Sequence, residues 1–206
     1  RLLKEGFDVR RVDFPNYKSD SSALVKMYLK GEFGKNAENV NPYAASLFYA
    51  VDRCASYLAD WKHFYENGGI VLADRYTTSN MIHQSAKIQD PVEQEKYLQW
   101  LIDLEFEKCK LPVPDLVFFL DVPVDVSFHL MKDRLSKMDQ SQNKDIHESN
   151  LEYLRKCYHH ACHIAERYGW IRISCVTNQS MKSAEEIHQE IYQHLLPHLK
   201  KMSPSK

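Results

Sequence analysis

The chain has almost no net charge. Its 27 Lys and Arg stand against 28 Asp and Glu, so no global field draws it to nucleic acid or to a membrane surface. No apolar run approaches about 18 residues, so no membrane span is expected. No secretory signal is visible at the start. Cysteine is sparse and odd in number. The five (Cys54, Cys109, Cys157, Cys162 and Cys175) form no Cys-x-x-Cys pair and read as reduced thiols in a cytosolic protein. No paired His signal marks one of them as a nucleophile. Glycine is scarce too. None of Gly6, Gly31, Gly34, Gly68, Gly69 and Gly169 opens a Gly-x-x-x-x-Gly-Lys-[Ser/Thr] phosphate loop. Internal repeats and low-complexity tracts are absent.

What is present suits one α/β domain: 206 residues, 44% hydrophobic, enough to bury a full core. The most informative stretch is Gly69-Ile-Val-Leu-Ala-Asp74-Arg75-Tyr76-Thr77-Thr78-Ser79-Asn80. The run Ile70–Ala73 shows no alternation, which reads as a strand buried on both faces of a parallel sheet. Ligands of such sheets bind beyond the carboxyl ends of the strands. There Asp74 can hold Mg²⁺, directly or through water, and Arg75 can grip phosphate with its planar fork. The bland alternatives are a strand-end cap for Asp74 and a surface ion pair for Arg75.

Start and stop signals organise the rest. Residues 1–5 read as a last helical turn closed by Gly6. Val9 to Phe14 reads as a strand stopped by Pro15, and Ser21 to Lys30 as a helix ended by Gly31. Asn41-Pro42 opens a long helix toward Asn67, where Gly68-Gly69 ends it. Asp90-Pro91-Val92-Glu93 opens another toward Lys110, with Glu93 placed to complete a capping box. Leu116–Leu120 is a second apolar strand, ending in Asp121. A helix is expected over Val124 to about Leu135, a polar, Lys-bearing mobile loop over 136–147, and a helix over 148–168 closed by Gly169. Ile171–Cys175 is a strand, and Ser183-Ala184-Glu185-Glu186 starts the last helix with a capping box. The tail 200–206 reads as a solvated end. Four strands alternating with helices predict a parallel sheet covered on both faces.

Four motifs now stand in order: Phe14-Pro15-Asn16-Tyr17, Phe48-Tyr49-Ala50-Val51-Asp52-Arg53, Asp74-Arg75-Tyr76 with Ser79-Asn80, and Leu120-Asp121-Val122-Pro123. In order and spacing they resemble the thymidylate kinases across essentially the whole chain. The segment 144–150 resembles that of clostridial and related bacterial members. The resemblance implies a P-loop NTPase-like nucleoside monophosphate kinase in a single domain over 1–206. Its parallel sheet has five strands, four of them visible here, with helices on both faces and a lid at about 136–147. The implied reaction moves the γ-phosphate of ATP to dTMP with Mg²⁺, giving dTDP and ADP for dTTP synthesis. The implied setting is a cytoplasmic homodimer with nucleotide partners, no nucleic acid and no membrane. The family carries a phosphate loop after its first strand, so a preceding segment of about 20 to 25 residues holding that strand and loop is expected.

The resemblance also implies roles. Arg75 holds the acceptor monophosphate and Asp74 lies in the Mg²⁺ region. Phe48 or Tyr49 stacks on thymine, where the family mostly has Phe at the Tyr49 position, and Arg53 and Asn80 read the edge of the base. Phe14 and Pro15 wall the site, and Tyr17 and His83 lie by the sugar. Lys132, Arg134, Lys137 and Lys144 are the lid cations, with Arg134 the leading candidate for the transition state. The plainer readings remain beside these: core aromatics for Phe48 and Tyr49, a helix cap for Asn80, a turn for Phe14-Pro15, an exposed helix residue for His83, a solvated loop for the cations. Asp121 reads as a structural strand end. His159, His160, Cys162 and His163 lie near one another on a helix, but no further metal ligand is visible. Two other functions stay open here. A related kinase of a deoxynucleoside or of another monophosphate is one, although a deoxynucleoside kinase would carry Glu-Arg-Ser and a carboxylate base. A non-catalytic nucleotide-binding relative is the other, prompted by the missing phosphate loop.

Overall fold

The computed structural model describes residues 1–132, 151–178 and 180–200, with only the backbone at Met131 and Lys132. Arg134 and the expected lid at 136–147, with Lys137 and Lys144, lie outside the described residues, as does the tail from 201.

The strands are β1 (Val9–Asp13), β2 (Ile70–Asp74), β3 (Phe118–Asp121), β4 (Ile171–Ser174), β5 (Val176–Thr177) and β6 (Ser180–Met181). The α-helices are α1 (Ala23–Leu29), α2 (Pro42–Ser56), α3 (Lys62–Glu66), α4 (Thr77–His83), α5 (Pro91–Ile102), α6 (Val124–Lys132), α7 (Leu151–Arg167) and α8 (Ala184–Leu199). The helix starts predicted at Asn41, Asp90 and Ser183 hold. Asn41 accepts the Ala44 N–H at 2.8 Å, with Pro42 in the first turn. Ser183 and Glu186 cap one another's backbone reciprocally. Asp90 caps α5, but Glu93 pairs with Lys96 at 2.8 Å instead of returning to the cap. Gly68 stops the long helix in the left-handed region, φ 87°, where a side chain would be strained.

Two features depart from the sequence expectation. The helix from Pro42 passes through a π turn at Tyr57–Trp61 before α3, and α5 runs into a π segment at Asp103–Lys108. The widening rests on i→i+5 bonding within a few residues, which no cap or turn signal in the sequence marks. The second departure is exposure. β2 is not buried on both faces: Leu72 is 44% exposed. Among the described residues β2 pairs only with β1, in parallel, so its other edge and part of its face stay open. β3 pairs with β4, also in parallel, and β5–β6 is a small antiparallel hairpin that the sequence did not announce.

Helices cover both faces of the β1–β2 pair, as expected of this strand order. Val9 and Ile70 share a face and pack under Tyr192, Leu195, Leu196 and Leu199 of α8. Val12 and Val71 take the other face and meet an aromatic cluster of Phe14, Tyr57, Trp61 and Tyr76. The π turn turns Tyr57 and Trp61 toward this cluster. A third cluster joins α4, α5 and α7 through Met81, Tyr97, Leu98, Leu101 and Ile164. No helix among the described residues is long and apolar enough to cross a membrane.

Ile164 is 1% exposed at the centre of that third cluster. Ile164→Ala should cost about 2–4 kcal/mol through lost burial and the cavity left behind. A urea titration with an unchanged slope and a lower midpoint would bear this out.

Candidate active site

The carboxyl ends of β1 and β2 carry the charged residues. Asp13 and Asp74 are register partners and share a face. Arg11, on the same face, donates to Asp13 at 2.6 Å and to Asp74 at 3.3 Å. Arg75 comes next with φ 67°, a left-handed conformation that costs a residue bearing Cβ about 1–3 kcal/mol. Its side chain is exposed. Backbone strain and charge are thus concentrated at one strand end.

Helix α2 builds one wall. Asp52, 1% exposed, accepts the Asn16 N–H at 2.8 Å and the Ser21 hydroxyl at 2.6 Å. It thereby holds the loop carrying Pro15 and Tyr17 onto the helix. Tyr17, Phe48 and Tyr49 pack around Val25, Tyr28 and Leu29. Tyr49 meets the edge of Tyr28 at 6.4 Å, while Phe48 lies between Tyr28 and Phe33. Both are half-buried. Phe14 turns the other way, into the cluster with Tyr76, Tyr57 and Trp61.

Arg53 is 1% exposed and grips Glu105 with two bonds: Nε to Oε2 at 2.7 Å and Nη2 to Oε1 at 2.6 Å. The Thr77 hydroxyl donates to the same Oε2 at 2.6 Å. Asn80, one turn further along α4, reaches the Ser46 carbonyl at 3.4 Å. The Tyr97 hydroxyl lies 2.6 Å from Ser46 Oγ and donates to the Asn80 carbonyl. His83 closes this face of α4. Burial first, and then the charges of Arg75 and Lys87, push its imidazole down to about 3. It is therefore neutral at physiological pH. Lys87 donates to the Tyr28 hydroxyl at 2.9 Å and to the Val40 carbonyl at 3.2 Å, and burial lowers its ammonium to about 8.

The structure thus brings Pro15, Tyr17, Phe48, Tyr49, Arg53, Asn80 and His83 onto one framework of α1, α2 and α4, reached by the strand end bearing Asp74 and Arg75. Asp121 accepts from Tyr158 and Arg172, a structural strand-end role. His160 bonds Ser85 and His159 stands against Tyr158. Among the described residues no group of three His, Cys, Asp or Glu is placed to hold a metal ion. Lys132 ends α6 without a described side chain.

The thymidylate kinase family model matches residues 2–191. The chain belongs to the thymidylate kinase family. It is similar to the probable thymidylate kinase of Thermococcus onnurineus, 28% identical over 192 residues that cover 91% of this chain and 82% of that protein. The corresponding protein of Thermococcus gammatolerans is 29% identical over 91% of this chain and 81% of its own length. The thymidylate kinase of Fervidobacterium nodosum is 31% identical over 126 residues, 61% of this chain and 55% of that protein.

Within this thymidylate kinase framework, sequence reading missed Glu105, Thr77, Asp52 and Lys87. Glu105 did leave a signal. It falls four residues after Leu101 and seven after Leu98, so a carboxylate sits on the buried face of the helix. Thr77 and Asp52 stand inside the motifs already noted, but their roles were not legible because their partners lie far along the chain.

The pH behaviour of His83 has a definite sign. Its folded value of about 3 lies below the unfolded 6.5, so the unfolded chain binds the extra proton between those limits. Stability should rise with pH across that window and be lost as pH falls through it. Denaturant titrations at pH 5 and 7.5 should show about 1–2 kcal/mol of this dependence in wild type and correspondingly less in His83→Asn. Equal pH dependence in the two proteins would contradict the assignment.

Proposed function

We infer that this enzyme is a nucleoside monophosphate kinase that transfers the γ-phosphate of ATP to dTMP, giving dTDP and ADP. It is a phosphotransferase of the thymidylate kinase family, and ATP is the phosphate donor. The observation that carries the site is the joining of α2 and α4 through Arg53, Glu105 and Thr77, beside a strand end presenting Asp74 and Arg75.

The residue roles are those the family resemblance implies, and the chemistry of each side chain supports them. Phosphoryl transfer is mainly positioning and charge neutralisation. Arg75 offers a bidentate fork to the acceptor phosphate. Tyr49, with Phe48 behind it, gives an aromatic face for the base, and Arg53 and Asn80 give polar groups for its edge. Neutral His83 and Tyr17 line the sugar side, and Phe14 and Pro15 support the wall. The acceptor already bears a phosphate nucleophile, so no strong base is needed. The hard oxygens of Asp74, with Asp13 alongside, fit Mg²⁺ held directly or through water. When bound, the ion offsets charge on the phosphates. Lys132, Arg134, Lys137 and Lys144, from the 132–147 segment, complete the donor side in this reading.

The finer architecture is part of the same proposal: one domain over 1–206 with a P-loop NTPase-like five-stranded sheet. Half-exposed Leu72 on β2 and Leu120 on β3 support a sheet with a further strand to cover them. A homodimer is supported by Leu47, Val51 and Leu58, three exposed apolar side chains on one stripe of the long helix. Five free thiols among the described residues suit a cytoplasmic setting.

A coupled ADP-release assay with ATP and Mg²⁺ on the full-length protein tests the reaction. Turnover should concentrate on dTMP over dUMP, dCMP, dGMP and thymidine. Arg75→Ala should lower it by about two to three orders of magnitude, as for loss of one preorganised contact to transferring charge. Near-normal turnover in that variant would remove Arg75 from the phosphate site. Light scattering should give a dimer mass for wild type and a monomer mass for Leu58→Glu; a dimeric variant would move the interface elsewhere.

A further inference from the structure

We propose that Glu105 is a positioning residue for base selection, acting through Arg53, and that Thr77 ties this control to the phosphate end of the site. The inference rests on the reading of Arg53 as a contact to the nucleobase edge. Glu105 is fully buried, and its carboxylate is spent on three short bonds, two from Arg53 and one from Thr77. An ionised carboxylate with no water access is tolerable only when its partners satisfy it, so the guanidinium plane is fixed by the pair. Glu105 takes the Nε–H and one Nη2–H of Arg53. The second Nη2–H and both Nη1–H groups are left to offer donors, and Nη1 has no hydrogen-bond partner among the described residues.

These remaining donors carry chemical information. A guanidinium donates and never accepts. Thymine presents a carbonyl oxygen at its position 4, and cytosine presents an amino group there. A guanidinium held in one orientation welcomes the first and meets the second donor to donor. A guanidinium free to turn does not discriminate as strongly. Selection between these bases therefore depends on the carboxylate that fixes the fork. Glu105 sits in the π segment Asp103–Lys108, a local geometry often found where a side chain must be set for function. Thr77 lies two residues after Arg75 and three before Asn80. One hydroxyl thus joins the fixed guanidinium to the turn that presents both the phosphate contact and the second base-edge contact.

The test is nucleotide binding by calorimetry on the full-length protein, with dTMP and dCMP as probes, for Glu105→Gln, Thr77→Val, Thr77→Ser and Arg53→Gln. Glu105→Gln should weaken dTMP binding about tenfold or more and narrow the dTMP-over-dCMP ratio, by loss of a charge-assisted pair. Thr77→Val should do the same more mildly, about threefold to tenfold, and Thr77→Ser should restore wild-type binding because it keeps the hydroxyl. If Glu105→Gln does not fold, the two Thr77 variants decide. Weak dTMP binding in Arg53→Gln with normal affinity and selectivity in Glu105→Gln and Thr77→Val would overturn the positioning role. Normal binding in Arg53→Gln would overturn the underlying reading of Arg53, and the inference with it.

Discussion

The buried ion pair between Arg53 and Glu105 is the constraint around which the site is organised. Neither partner can be exposed without opening the core, and neither tolerates burial alone. Its geometry therefore fixes the spacing between α2 and the π segment after α5, and Thr77 brings the start of α4 into the same arrangement. Three elements distant in sequence are held at hydrogen-bond precision. The aromatic wall of Tyr28, Phe48 and Tyr49 and the strand end with Arg75 are then placed relative to one framework rather than to flexible loops.

Burial in this region is unusually polar. Ser46, Asp52, Arg53, Thr77, Asn80, Gln84, Ser85 and Glu105 are all buried, beside phenolic groups such as Tyr97. A domain held together by apolar contact alone would have little use for so many. A polar interior is costly unless each group finds a partner, and most here do. The yield is an interior whose polar groups are held in fixed orientations by one another. The apolar clusters around Ile164, Trp61 and Leu199 lie to either side and supply the burial that offsets it.

What could be read from sequence was local. Asn41-Pro42, Ser183 to Glu186, and the glycines at 31, 68 and 169 announce helix limits because capping depends on neighbours within a turn. Asp74-Arg75 was legible because a continuous apolar run ending in charge marks the carboxyl end of a strand. Family resemblance came from the order of four such motifs. The Arg53–Glu105 pair was not legible, since its partners lie 52 positions apart. Asp52 was visible within its motif, but its grip on Asn16 and Ser21 depends on how β1 delivers the following loop. The exposure of Leu72 depends on which strands flank β2, a property of the sheet that no pattern within one strand contains.

The π turn at Tyr57–Trp61 has a consequence for how this fold can change its length. A wide turn absorbs one extra residue while leaving the helix on each side in nearly the phase it would have without it. Losing one residue from 57–61 would return the segment to ordinary α-helix, with Arg53 before it and Phe64 after it still facing their present neighbours. Losing a residue elsewhere in the same helix would rotate one side by about 100° and carry its buried face into solvent. Insertions and deletions are usually tolerated in loops. Here a helix running beneath the site has a position where one residue could come or go between relatives without disturbing what that helix holds.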